Sequence, residues 1–266
     1  MKTLQASDGS TLAWREAGTG SPVVLLHGVG MQSAIWAPQI AALSPHYRVI
    51  ALDMPGHGGS SRLTEVPSLP DYIAWLARAL VALGLDQVAL AGHSMGALIA
   101  GGFAATHQER LSRVALLNGV YRRSAEARAA VTGRAAELRK GKIDLHGPLS
   151  RWFSPKDDPA LCEKVVGYLS AVDIGGYADA YTAFATGDDT YAELYANIRI
   201  PALILTGELD PNSSAEMTRQ MAATIPGAEA VVIPGERHIV SLTAPELVND
   251  CLLAWLDGQP QSPEYR

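Results

Sequence analysis

The sequence predicts an α/β protein built on a mainly parallel sheet with helices on both faces. Two observations carry that prediction. Short uninterrupted apolar runs recur along the chain at residues 23–26, 48–52, 87–91, 113–117, 202–205 and 230–233, as strands buried on both faces require. Between them lie segments whose apolar residues repeat every three to four positions. Strand–helix–strand alternation of this kind folds as right-handed crossover units.

The elements follow in order. Residues 3–6 and 11–15 read as a hairpin around the turn Ser7-Asp8-Gly9-Ser10. A Gly/Ser/Pro cluster at 18–22 leads into the first buried run. Trp36, Ile40 and Leu43 have helical spacing before the second. Asp71 stands at a helix start, Ile73, Leu76, Leu80 and Leu83 keep the period, and Gly84 ends it. The third run precedes a helix of small residues at 97–106, and the fourth follows it. From 121 to 197 the alternation breaks, with helix-forming runs and no convincing strand. That stretch is expected to lie over the C-terminal edge of the sheet, where open α/β sheets bind ligands. The last two runs and a helix at 248–256 close the chain. The expected division is a core of residues 1–120 and 198–266 carrying an insertion of 121–197.

Composition excludes several classes. The chain has 266 residues, 48% hydrophobic and 18% charged, which is globular composition with a large core available. A formal net charge of −6 argues against a nucleic-acid partner. Cys162 and Cys251 form no disulfide framework and read as small buried residues. No apolar leader and no run of ~18 apolar residues is present, so a cytoplasmic protein with no membrane partner is expected. His46, His107 and His146 are isolated, without the spacing of a metal site.

The chemistry concentrates in Gly92-His93-Ser94-Met95-Gly96, directly after a strand and before a helix. A nucleophile at the tip of so sharp a turn needs flanking residues without a Cβ. A serine hydroxyl also needs a base and an orienting acid. Asp210 and His238 each follow the end of a late strand, on the same sheet edge as Ser94. Glu208 is the rival acid. Leu26-His27-Gly28-Val29-Gly30 follows the first buried run, and the amides of Val29 and Met95 are candidates for an oxyanion hole. The same glycines with Ser33 and Asp53 imitate a dinucleotide fingerprint, a reading that leaves Ser94, Asp210 and His238 unexplained. Asp53 and His57 are expected to shape a turn near the site, and His93 to be structural.

These segments, with Asp53-Met54-Pro55-Gly56-His57-Gly58-Gly59-Ser60 and Gly207-Glu208-Leu209-Asp210, resemble the α/β-hydrolase superfamily over nearly the whole chain. The resemblance implies an eight-stranded sheet, a helical cap, no cofactor, and hydrolysis through a Ser94–His238–Asp210 triad. Ile35-Trp36-Ala37-Pro38-Gln39-Ile40 and the segment from Ile200 to Pro211 look most like 3-oxoadipate enol-lactonases and small carboxylesterases. A small ester or lactone is the expected substrate. Hydrolysis of C–C or amide bonds in aromatic-degradation intermediates, or a small-molecule receptor that keeps the triad, are the alternatives. Dehalogenase chemistry would need an aspartate at Ser94, and Asn118 speaks against an acid at the end of the fourth buried run.

Charge is uneven. Residues 121–156 hold nine basic side chains against three acidic ones. A solvated helix face is one reading. The other is that Arg122 or Arg123, just past a strand end, holds a substrate carboxylate, with Trp152 and Phe153 as an apolar wall. The only partner expected is a small molecule, with a homo-oligomer left open.

Overall fold

A computed structural model describes residues 1–6, 9–63 and 65–262. Eight strands form one sheet: β1 Lys2–Gln5, β2 Thr11–Ala17, β3 Pro22–Leu26, β4 Arg48–Leu52, β5 Val88–His93, β6 Leu111–Leu117, β7 Ala202–Gly207 and β8 Glu229–Ile233. Their order across the sheet is β1-β2-β4-β3-β5-β6-β7-β8. The hairpin β1–β2 joins β4 antiparallel, and every later pairing is parallel. Ser7 and Asp8 of the expected hairpin turn lie outside the described residues.

Central strands read as continuous apolar runs because helices cover both faces. In β3, β4 and β5 nearly every residue is buried. The covering helices in the first half are α1 Ala37–Leu43, α2 Leu69–Ala82 and α3 Met95–Thr106. Asp71, expected at a helix start, is the third residue of α2. Its carboxylate reaches back to accept the Ser68 backbone N–H at 2.8 Å, closing the first turn. Gly84, at φ +66, ends the helix as expected.

Between β6 and β7 come four helices, α4 Ala125–Arg139, α5 His146–Trp152, α6 Pro159–Ala171 and α7 Ile174–Thr186, with no strand among them. They form a cap in which α4 packs along α7. The start of α7 meets the core backbone to backbone. A Cβ on Gly176 would lie 2.5 Å from Gly56 Cα, so only glycine allows that approach. Beside it, Arg62 from the core pairs with the buried Asp179 of α7 at 2.7 Å. The chain then completes the sheet with α8 Ala215–Thr224, α9 Val240–Thr243 and α10 Pro245–Asp257. No described helix is long and apolar enough to cross a membrane.

Candidate active site

Ser94 occupies the turn between β5 and α3 with φ 56 and ψ −112, a conformation that costs a non-glycine residue roughly 1–3 kcal/mol. Crowding explains both flanking glycines. A Cβ on Gly92 would lie 2.0 Å from the carbonyl oxygen of Gly96, and one on Gly96 would lie 2.3 Å from that of Leu26. The Ser94 N–H donates to Leu117 O at 2.9 Å, which ties the turn to β6. The serine is buried against the chain but opens onto a cavity.

Asp210 and His238 come together past the ends of β7 and β8. His238 Nδ1 lies 2.7 Å from Asp210 Oδ2, and both side chains are almost fully buried. A carboxylate accepts, so Nδ1 carries the imidazole proton and Nε2 is left with the lone pair a base requires. Asp210 receives two further donors, Asn118 Nδ2 at 2.8 Å on Oδ2 and the Asn212 N–H at 2.8 Å on Oδ1. Burial alone would raise its pKa, but the His238 imidazole and these hydrogen bonds hold it below the usual carboxylate value. His238 and Ser94 line the same cavity. Glu208, the rival acid, is exposed and accepts the Gly235 N–H at 2.9 Å.

Val29 also lines that cavity. Gly28 beside it is pressed onto Ser94, since a Cβ there would lie 3.1 Å from Ser94 Cβ. Met95 is the first residue of α3, where helix amides have no intrahelical acceptor. Met95 directly follows Ser94 in the chain, and Val29 directly follows the glycine packed against it.

The cavity above Ser94 holds about 230 Å³ and is roofed by α4, α5 and α7. Trp152 stacks on His238 with ring centroids 6.0 Å apart. Three arginines, Arg123, Arg134 and Arg151, line it, and among the described residues no carboxylate does. Arg123 is buried and pairs with Asp188 at 3.1 Å, with its backbone N–H on the same carboxylate. Its Nη2 has no hydrogen-bond partner among the described residues. Arg134 is oriented through Nε by the Tyr181 hydroxyl at 3.0 Å.

A sequence profile of the alpha/beta hydrolase family matches residues 23–251. The chain belongs to the alpha/beta hydrolase family. Its relatives include the (E)-2-((N-methylformamido)methylene)succinate hydrolase of Acinetobacter baylyi, 48% identical over 97% of this chain and 99% of that one. The 3-oxoadipate enol-lactonase 1 of the same organism is 30% identical, over 84% of each chain. Among solved structures, a malate-bound thermophilic esterase from Thermogutta terrifontis superposes with a TM-score of 0.88 and 28% identity, covering 97% of this chain and 99% of that one.

In this alpha/beta hydrolase the structure brings Ser94, Asp210, His238 and Val29 to one place, and puts Arg123 and Trp152 on the cavity wall. Arg122, the other candidate for a substrate carboxylate, and Phe153, expected in the apolar wall, are elsewhere. Arg122 sits in a left-handed turn at φ 45, which sends its guanidinium outward over the Tyr121 ring to pair with Glu193 at the surface. Phe153 follows the end of α5 in an extended conformation and is packed in the apolar core. Cys162, expected to be buried, is half exposed. Asp53 cannot bind a ribose: it is fully buried, with its oxygens taken by the amides of Ser33 at 2.6 Å and Gly59 at 3.0 Å. Arg134, Arg151 and Asn118 were not legible as site residues. The only signal for the arginines was the basic stretch as a whole. Many of its charges pair elsewhere: Arg139 with the buried Asp179, and Lys140 and Lys142 with Glu137 at the surface.

Proposed function

We propose that this hydrolase cleaves a small substrate bearing two carboxylates, at an amide-type acyl bond, with Ser94 as nucleophile. The observation that carries the substrate class is the wall of Arg123, Arg134 and Arg151 above Ser94, with no carboxylate among the lining residues. Guanidinium–carboxylate pairs in such a cavity are worth about 1.5–3 kcal/mol each. The relative at 48% identity points the same way: its name describes an N-methylformamide, an amide, on a succinate, a dicarboxylate.

In this reading His238 Nε2 takes the Ser94 hydroxyl proton as Oγ attacks the carbonyl carbon. The oxyanion rests on the Val29 and Met95 amides. His238 then passes the proton to the leaving nitrogen, the C–N bond breaks, and an acyl-enzyme remains. Water, deprotonated by His238, releases the acid and regenerates Ser94. Asp210 keeps the imidazole in the required tautomer throughout. Residues 121–197 act as the cap that selects substrate, over a catalytic core of residues 1–120 and 198–266.

A second reading keeps the ester or lactone substrate, supported by the enol-lactonase relative. The test is turnover of N-acylaminomethylene succinates, enol-lactones and neutral p-nitrophenyl esters, with the acyl-enzyme trapped on Ser94. Highest kcat/KM for the dicarboxylate amide supports the first reading, and a preference for lactones supports the second. A triad-retaining receptor would bind without turning over any of them.

A further inference from the structure

Val29 lies in a loop of residues 27–31 that is joined to a second loop, residues 53–59, through two buried histidines. Neither His27 nor His57 lines the cavity above Ser94. Both rings are held at both nitrogens by main-chain groups. His57 Nδ1 is 3.0 Å from Pro55 O, and its Nε2 is 3.0 Å from the amide nitrogen of Gly30. A carbonyl only accepts and an amide N–H only donates. The ring therefore carries its proton on Nδ1 and offers a bare Nε2 to Gly30. An imidazolium has no lone pair and could not take that N–H.

His27 repeats the arrangement. Its Nδ1 donates to Gly28 O at 2.7 Å and its Nε2 accepts the Met54 N–H at 2.9 Å. The Gly28 carbonyl and the Val29 N–H belong to one trans peptide plane, so they point in opposite directions. The Gly30 N–H belongs to the next plane, on the other side of Val29 Cα. With both planes anchored, the two backbone dihedrals of Val29 are set, and so is the direction of its N–H. Gly30 is also confined from above: it has φ +74, and a Cβ on it would lie 2.6 Å from Leu169.

We propose that His57 is a positioning residue for catalysis: as a neutral imidazole protonated on Nδ1, it holds the Val29–Gly30 peptide and so aims the Val29 amide at the oxyanion. The inference rests on the reading of Ser94 as nucleophile and Val29 as an oxyanion donor. The surroundings suit the neutral ring. Burial and the neighbouring His27 push its pKa down to about 3, against the opposite pull of the Pro55 carbonyl, Asp53 and Asp173. Tyr177 meets it edge-on at 6.5 Å, and burial keeps that phenol protonated. Removing an oxyanion donor outright costs roughly 10²–10³ in kcat, so misaiming one is expected to cost roughly 10–100-fold.

Two variants test this. His57→Leu fills the space without an acceptor. His57→Gln keeps an oxygen for Gly30 and an N–H for Pro55. With p-nitrophenyl acetate, the leucine variant should lose kcat by roughly 10–100-fold at little changed KM. Its affinity for phenylboronic acid, which forms a tetrahedral adduct on a nucleophilic serine, should fall in parallel. The glutamine variant should recover most of both. In the wild-type protein, nitrogen NMR of labelled histidines at neutral pH should show His57 with a bare Nε2. Unchanged kcat and boronate affinity in His57→Leu would overturn the inference, as would equal losses in the two variants or a proton on Nε2. If the leucine variant does not fold, the glutamine variant and the wild-type spectrum decide. Failure of the parent reading looks different: wild type would form no boronate adduct, and Ser94→Ala would keep its activity.

Discussion

Asn118 donates its side-chain amide to Asp210 at 2.8 Å, on the same carboxylate oxygen that takes the Nδ1–H of His238. Asn118 itself is fully buried at the end of β6, in a left-handed conformation with φ 49. Its carbonyl accepts the Ser213 hydroxyl at 2.6 Å. Asp210 is thus seated by Asn118 and Asn212 as well as by His238.

Removing that donor should therefore slow catalysis without weakening binding. Asn118→Gly preserves the left-handed backbone and deletes the amide. Loss of one hydrogen bond to a charged group predicts about a tenfold or greater fall in kcat at unchanged KM. Asn118→Asp sets a second carboxylate against Asp210, so one of the pair holds a proton to higher pH. The acid limb of its kcat–pH profile should move upward. Full activity in Asn118→Gly would show that Asp210 does not need this partner.

The identity of the acid has its own test. Asp210→Asn should lower kcat by ~10⁴ with the fold retained, because the imidazole tautomer is no longer enforced. Glu208→Gln should leave kcat near wild type, since that side chain is exposed and accepts the Gly235 amide, away from His238 Nδ1. A larger loss at Glu208 would transfer the role.

In the proposed reading, charge selection falls to the cavity arginines. Arg134→Gln and Arg151→Gln should each lower kcat/KM for a dicarboxylate substrate by roughly 10–150-fold while a neutral ester of similar size is little affected. Arg122→Gln should change neither, because its guanidinium faces solvent and Glu193. Arg123→Gln should lower the melting temperature as well as turnover, as the buried Asp188 loses one of its two guanidinium partners and keeps Arg128 and the backbone N–H of residue 123. Equal losses on acid and ester substrates would assign Arg134 and Arg151 to cap structure alone.

Acid should unfold the protein early. His57 and His93 have pKa values near 3, because burial disfavours the imidazolium, and that of His27 is lowered for the same reason. Their unfolded value is 6.5. Between those values the unfolded chain binds more protons, so stability is fully present above pH 6.5 and declines as pH falls towards 3. Each such histidine contributes a slope of about 1.4 kcal/mol per pH unit. Denaturant midpoints at pH 7, 6 and 5 should fall progressively, and a flat series would contradict the buried neutral rings.

How far the sequence could be read depended on the range of the interactions involved. Ser94 was legible because its constraints lie within two residues on either side, at Gly92 and Gly96. Asp210 and His238 were legible because apolar runs mark the strands they follow, and strand ends share one edge. The cap was legible as a helical insertion but not as a surface. Residues 125–139 are rich in alanine and arginine with little apolar periodicity, so nothing local says that Arg134 faces the cavity while Arg139 reaches Asp179. Arg122 and Arg123 are adjacent and diverge through a single left-handed residue. Asn118 acts across 92 positions of sequence, a distance at which pattern carries no information.

The cavity above Ser94 has two origins in the chain. Ten of its fifteen lining residues fall between Arg123 and Phe184, and only Val29, Ser94, Pro211, Asn212 and His238 come from the sheet edge. The turn that holds Ser94 tolerates no added methyl group at Gly92 or Gly96, whereas in the proposed mechanism most of the roof residues take no part in the reaction. Such a division makes the scaffold modular for engineering. A library confined to the roof positions, sparing Trp152, can search for new acyl donors while the reactive apparatus is inherited unchanged, and recruits should differ in what they admit long before they differ in how they react.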